Sequence, residues 1–177
     1  MSAIEPRAWV GCLAAYNSGI LHGEWLDCDD EDEFSEGLKR VLGSSPVEDA
    51  EELWVMDHEG LPIKDECSPS VALRLGLMVD EVCNSNHHAY EVLEHALDYH
   101  GGDASLEQVN QYIEDSYAGT YDSEEDFAFE LAVNMGQNTE GFLGSYIDWG
   151  RMARDLFMCD YTSVSLKEGG VAVLRCI

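Results

Sequence analysis

The segment RAWVGCLAAYNSGILHGEWL, residues 7–26, decides the fold of the first part of the chain. Two apolar-rich runs, Arg7–Ala15 and Ile20–Leu26, flank Tyr16-Asn17-Ser18-Gly19. A polar, glycine-closed tetrapeptide between two such runs predicts a β-hairpin. Just beyond it stand Asp29-Asp30-Glu31-Asp32-Glu33, followed by Phe34, Leu38, Val41 and Leu42 at helical spacing. Acids at a helix start complement the macrodipole, so part of this run caps the helix that Gly43 and Pro46 end. Leu53–Met56 reads as a third strand, closing a ββαβ-like unit near Pro62.

The rest reads mainly as helix. Ser70–Cys83 is largely apolar, and Asn86–His100 is a second candidate helix ending at Gly101-Gly102. Ser105-Leu106-Glu107-Gln108 fits a capping box ahead of Leu106, Val109 and Ile113 on one face. Asp122-Ser123-Glu124-Glu125 opens another helix, with Phe127, Leu131 and Met135 inside and Gly136 as its stop. Asp148 caps a last helix whose core face is Met152, Leu156 and Phe157. A closing hairpin is expected from Tyr161–Leu166 and Val171–Ile177 around Lys167–Gly170. The expectation is an α+β chain, an elongated row of three small domains. Residues 1–62 form a small antiparallel sheet with a helix, 63–102 a helical middle, and 103–177 helices with a β-hairpin.

Charge separates this chain from an ordinary soluble protein. The 177 residues carry 36 acids against 9 bases, a net charge of −27. Residues 1–74 hold 17 acids and 5 bases, residues 75–150 hold 16 acids and no base, and residues 151–177 hold 3 acids and 4 bases. A stretch without cations has no internal ion-pair partners, so its carboxylates repel and cost stability. Direct binding of nucleic acid is excluded as the main task, because phosphate contacts need clustered Lys and Arg. Adhesion to an anionic membrane is disfavoured for the same reason, and no run of 18 apolar residues could span a bilayer. From six cysteines without close pairs, and no basic region feeding an apolar secretory stretch, a cytoplasmic setting with reduced thiols is expected.

Residue patterns that would support catalysis or a cofactor fail one by one. Asp27, Asp29 and Glu31 start like a calcium loop, but Asp32 stands where glycine is needed and Leu38 where glutamate is needed. Cys83, His87, His88, His95 and His100 lack any zinc-type spacing. These histidines, near many carboxylates, are expected to titrate with raised pKa values. No Gly-x-Ser-x-Gly elbow, activated cysteine or phosphate loop is present, so neither an enzyme nor a cofactor or metal is expected.

The acids could instead imitate DNA. Duplex DNA carries one charge per ~1.7 Å, so 27 charges correspond to roughly 46 Å, or about 13 base pairs. Salt adaptation would spread acids everywhere, whereas the last 27 residues are near neutral. The carboxylates expected to stand for phosphates are Asp27, Asp29, Asp30, Glu31, Asp32, Glu33 and Glu36 in the first part. Glu91, Glu94, Asp98, Glu107, Glu114, Asp115, Asp122, Glu124, Glu125, Asp126 and Glu130 continue the series. Phe142, Leu143, Tyr146, Ile147 and Trp149, next to the non-acidic tail, are the candidate homodimer contact. The alternative is an acidic binding or chaperone-like protein for another basic DNA-binding protein.

Val10–Asp27 (VGCLAAYNSGILHGEWLD) resembles the opening hairpin of the ArdA family of antirestriction proteins. Glu52–Gly60 (ELWVMDHEG) resembles that family's next strand and turn. Tyr117–Ala132 (YAGTYDSEEDFAFELA) and Tyr146–Asp160 (YIDWGRMARDLFMCD) resemble its two C-terminal helical segments. The resemblance implies a protein carried on mobile DNA, with three small domains and a dimer contact in the last. It further implies that the protein fills the DNA-binding groove of type I restriction–modification enzymes and blocks restriction of incoming DNA.

Overall fold

The hairpin at the start of the chain forms, but around a helical turn. In the computed structural model, which describes residues 3–64, 66–139 and 141–177, strand β1 (Arg7–Cys12) runs into a short helix, α1 (Leu13–Asn17), before β2 (Gly23–Asp27) returns antiparallel to it. Helix α2 (Glu31–Gly43) and strand β3 (Leu53–Glu59) follow, and the sheet order is β2-β1-β3. One face of β1 is fully buried at Ala8, Val10 and Cys12. Strand alternation sends these three to the same side, where Phe34 and Val41 of α2 pack. Gly37 lets α2 approach closely, because a methyl there would overlap the Leu26 side chain. Burying Phe34, 1% exposed, contributes about 2–3 kcal/mol.

Helix α3 (Pro69–Met78) crosses the same side of the sheet and continues as a π-helical turn, Val79–Ser85. That wider turn carries Asn84, whose amide nitrogen donates to the Ile4 carbonyl at 2.9 Å and whose carbonyl accepts the Ile4 N–H at 2.9 Å. Residues Met1–Tyr90 make one compact unit and Glu91–Ile177 a second.

In the second unit, α4 (Tyr90–His100) begins four residues later than the sequence suggests. Positive φ at His87, 60°, interrupts the run before it. The capping box opens α5 (Leu106–Ser116): the Ser105 hydroxyl accepts the Gln108 N–H at 3.2 Å, and the Gln108 side chain accepts the Ser105 N–H at 2.9 Å. Strand β4 (Tyr117–Tyr121) leads to α6 (Glu124–Asn134) and then α7 (Trp149–Cys159). The closing hairpin is β5 (Tyr161–Ser165) and β6 (Val171–Arg175), and β4 adds to it as a third strand, in the order β4-β6-β5. Phe127 of α6 is the hub of this core, 5.0 Å from the Tyr121 ring, 5.7 Å from Phe157 and 4.7 Å from Tyr161. In α7, Met152, Leu156 and Phe157 are half-buried and Ala153 alone is buried. Among the described residues the fold is therefore α+β, with seven α-helices and two small antiparallel sheets.

Packing reverses the electrostatic expectation at two histidines. His95 on α4 lies 3.1 Å from the Tyr112 hydroxyl, beneath the Tyr99–Tyr112 stack. Burial lowers its pKa below the ordinary 6.5, outweighing the opposing effect of Asp98. His88 is lowered by burial as well. The expected upward shift is thus reversed at both, because desolvation of the imidazolium outweighs the carboxylates. A lowered folded pKa means that the unfolded chain binds the proton more readily, so stability is full above 6.5 and falls as pH drops through the folded value. The melting temperature should therefore decline between pH 6.5 and 5, and His95→Gln should flatten that decline. An unchanged slope in thermal melts of the variant would show that His95 titrates alike in both states.

Candidate functional site

Every acid of the first cluster reaches water. Asp27 ends β2, Asp29 and Asp30 form the turn, and Glu31, Asp32, Glu33 and Glu36 lie on α2, all exposed. Asp30 is the N-cap of α2, its side chain accepting the Glu33 N–H at 2.8 Å. Three acids in the first turn then sit where the helix end carries a partial positive charge.

In the second unit the same arrangement recurs at α6. Ser123 is the N-cap, accepting the Asp126 N–H at 3.1 Å, while Glu124, Glu125 and Asp126 fill the first turn. Asp98, Glu107, Glu114, Asp115, Asp122, Glu125, Asp126 and Glu130 are exposed. Three of the sequence candidates are less available. Glu91 is 15% exposed and accepts the Lys167 backbone N–H at 3.3 Å. Glu124 accepts the Ser163 hydroxyl at 2.6 Å, and Glu94 is half-buried.

Few cations answer these acids. In the first unit, Arg7 pairs with Glu59 at 2.6 Å and Arg40 with Glu24 at 2.9 Å, both in the open, where such pairs add little. Across α4, α5 and α6 the sequence has no Lys or Arg at all. Ion pairs on such a surface are exposed and screened, each contributing little. Burial pushes the Cys28 thiol up to about 12 and raises Cys67 too, whereas Cys12, which burial alone would raise, is lowered by hydrogen bonds from Ser45 and the Ala15 and Ala14 backbone. Among the described residues no three His, Cys, Asp or Glu side chains gather into a metal-binding group, and no helix is long and apolar enough to cross a membrane.

The apolar candidates for self-association are exposed as a group. Phe142, Leu143 and Tyr146 are 79%, 75% and 74% exposed. Ile147 is partly exposed, and the Phe142 and Tyr146 rings lie 5.3 Å apart. Trp149 differs: it is half-buried, its ring edge-on to Phe129 at 5.2 Å.

Sequence reading missed one feature of the first unit. Trp9, Trp25, Trp54 and Met56, with Leu13, Tyr16, Leu21 and Val55, line a groove of about 810 Å³ that also includes Asp57 and Glu66. The signal was available in the strands: Trp9 and Trp25 are paired partners flanked by buried Ala8, Val10 and Leu26, so alternation sends both indoles to the other face.

A family model described as Antirestriction protein (ArdA) matches residues 8–171. No curated protein matches the chain.

Proposed function

The chain belongs to the ArdA antirestriction protein family, and we propose that it acts as a DNA mimic, occupying the DNA-binding groove of type I restriction–modification enzymes. The observation that carries this reading is the acidic surface of residues 1–150, with 33 acids against 5 bases. A groove built to hold a duplex presents Lys and Arg to phosphates, and carboxylates at comparable charge density satisfy those cations without offering a cleavable bond. Inhibition is then stoichiometric and reversible, without catalysis by the mimic. The three-part division at residues 62 and 102 belongs to this proposal, as do the phosphate-like acids from Asp27 to Glu130 and the cytoplasmic setting in which they would meet the enzyme.

A homodimer through the last part of the chain completes the reading. The exposed Phe142, Leu143, Tyr146 and Ile147 adjoin the only stretch with a net positive charge, residues 151–177. Two acidic faces would repel where this one does not. Two copies carry −54 from −27 each, equivalent to roughly 92 Å of duplex. Light scattering at micromolar concentration should give a dimer for the natural chain and a monomer for Leu143→Glu. A natural chain that is only monomeric would refute the stable dimer.

The deciding experiment is competition: the purified protein against duplex DNA for a type I methyltransferase core. Displacement at one mimic dimer per enzyme complex supports the reading. Binding to unrelated basic proteins with equal affinity, and without displacement of DNA, would replace it with a general acidic chaperone.

A further inference from the structure

The bare face of the first sheet is not explained by charge mimicry. Helices α2 and α3 cover the side bearing Ala8, Val10, Leu26 and Val55. A sheet covered on one side ordinarily turns polar residues to water on the other. Here the groove is lined by Trp9, Trp25, Trp54 and Met56, and its far end by Tyr16 and Leu21, which are 58% and 75% exposed.

The groove is built rather than left over. Gly11 and Gly23 are paired across β1 and β2. A methyl at Gly11 would stand 2.7 Å from Trp9 Cζ3 and 2.7 Å from Met56 Sδ, and one at Gly23 would stand 2.9 Å from Trp9 Cη2. Two side-chain-free positions thus let the Trp9 indole lie flat along the sheet with Met56 beside it. The charged groups lining the groove are Asp57 and Glu66, both acidic. The same sheet already holds one cation in this way. The Arg7 guanidinium lies 5.1 Å from the centre of the Trp25 ring and donates to Glu59 at 2.6 and 2.9 Å.

We propose that this groove docks a protein segment of the enzyme that the chain inhibits, one presenting an apolar side chain next to an arginine or lysine. The inference rests on the reading that the partner is a basic DNA-binding enzyme. The apolar side chain enters between the indoles and Met56, and the cation meets Asp57 and Glu66 with an aromatic face beside it, as Arg7 does at Trp25. Charge selects this occupant: a second copy seated here would meet the acidic residues 1–74, 17 acids against 5 bases, rather than the near-neutral residues 151–177, and an anionic membrane would be repelled. The groove adds to the mimic a contact that DNA itself cannot make, and its apolar part supplies affinity that salt does not screen.

The test compares the natural chain with Leu21→Ser, Trp54→Ala and the pair Asp57→Asn/Glu66→Gln in competition against duplex DNA for a type I methyltransferase core. Leu21→Ser alters only an exposed side chain and decides the matter should Trp54→Ala fail to fold by circular dichroism. Each variant should bind about tenfold more weakly. Leu21→Ser and Trp54→Ala should keep the natural dependence on salt, and hydrogen exchange in the natural complex should slow at residues 9–11, 23–25 and 53–57. Variants that bind like the natural chain, with no protection there, overturn the groove proposal and leave the DNA-mimic reading intact. A natural chain that does not bind the methyltransferase overturns both. Leu21→Ser that alters self-association while leaving enzyme binding unchanged assigns the face to a second copy and overturns the proposal.

Discussion

Raising the salt from 50 to 200 mM should weaken binding to a type I methyltransferase by on the order of 100-fold or more. On the DNA-mimic reading the contact consists of many exposed carboxylates facing cations, and the screening length shrinks from about 14 Å to about 7 Å over this range. A duplex with 6–10 phosphate contacts loses roughly 10³–10⁵ over the same range. A folded protein condenses fewer counterions than DNA, which sets the lower figure here. The free protein should respond in the opposite direction. Screening relieves repulsion among residues 75–150, a stretch of 16 acids that contains no Lys or Arg, so its melting temperature should rise with salt. Calorimetry of the free chain alongside titration of the enzyme separates the two effects. Glu36→Gln or Glu114→Gln alone should change affinity less than about threefold, because one exposed ion pair among many contributes little. Affinity that holds constant from low to high salt would remove charge mimicry as the basis of binding.

Gly76→Ala should be the most damaging single methyl in the first unit. Gly76 is buried on α3 against the turn after β2, and an added Cβ would overlap the Cys28 carbonyl oxygen and Cβ. Alanine improves helix propensity by about 1 kcal/mol. Separating α3 from the backbone at Cys28 costs about 3 kcal/mol or more, since a carbonyl cannot rotate away as a flexible side chain would. The clash wins, with a net loss of about 2 kcal/mol or more. Gly43, also helical, has nothing within 4 Å of such a methyl. Gly43→Ala should therefore be neutral or stabilising by up to about 1 kcal/mol. Urea titrations of both variants check the contrast, and equal effects would show that α3 has room to shift.

How much of this was legible depended on whether the signal was local. Caps were: Ser105 with Gln108, and Asp148, stand where the sequence places them, and α6 opens within the expected Asp122–Glu125 run, on Ser123. So do the strands of the first apolar-rich runs, β1, β2 and β3, although Leu13–Ala15, expected as strand, turns into α1 and β2 starts only at Gly23. What depended on pairing was lost. Tyr117–Tyr121, where Gly119 interrupts a run of only five residues, does not announce a strand, and it becomes one because β6 offers its free edge, Tyr117 opposite Leu174 and Tyr121 opposite Val171. The π-helical turn at Val79–Ser85 has no composition of its own. For the acidic surface, composition gave the sign and density of charge. It could not separate Glu36, which faces water, from Glu91, which Lys167 covers, because that difference is made by a hairpin 76 residues away.

The two capped helix starts, Asp30 with Glu31–Glu33 and Ser123 with Glu124–Asp126, carry an evolutionary consequence. At most surface positions a further carboxylate worsens folding, so selection for partner affinity and selection for stability oppose each other. In the first turn of a helix they agree, because the exposed backbone N–H groups favour an anion there. Such positions can exchange aspartate for glutamate freely yet resist loss of the charge. A lineage acquiring a phosphate-like surface would begin at these turns, where the first acids are tolerated without compensation elsewhere, and extend along the helices from them.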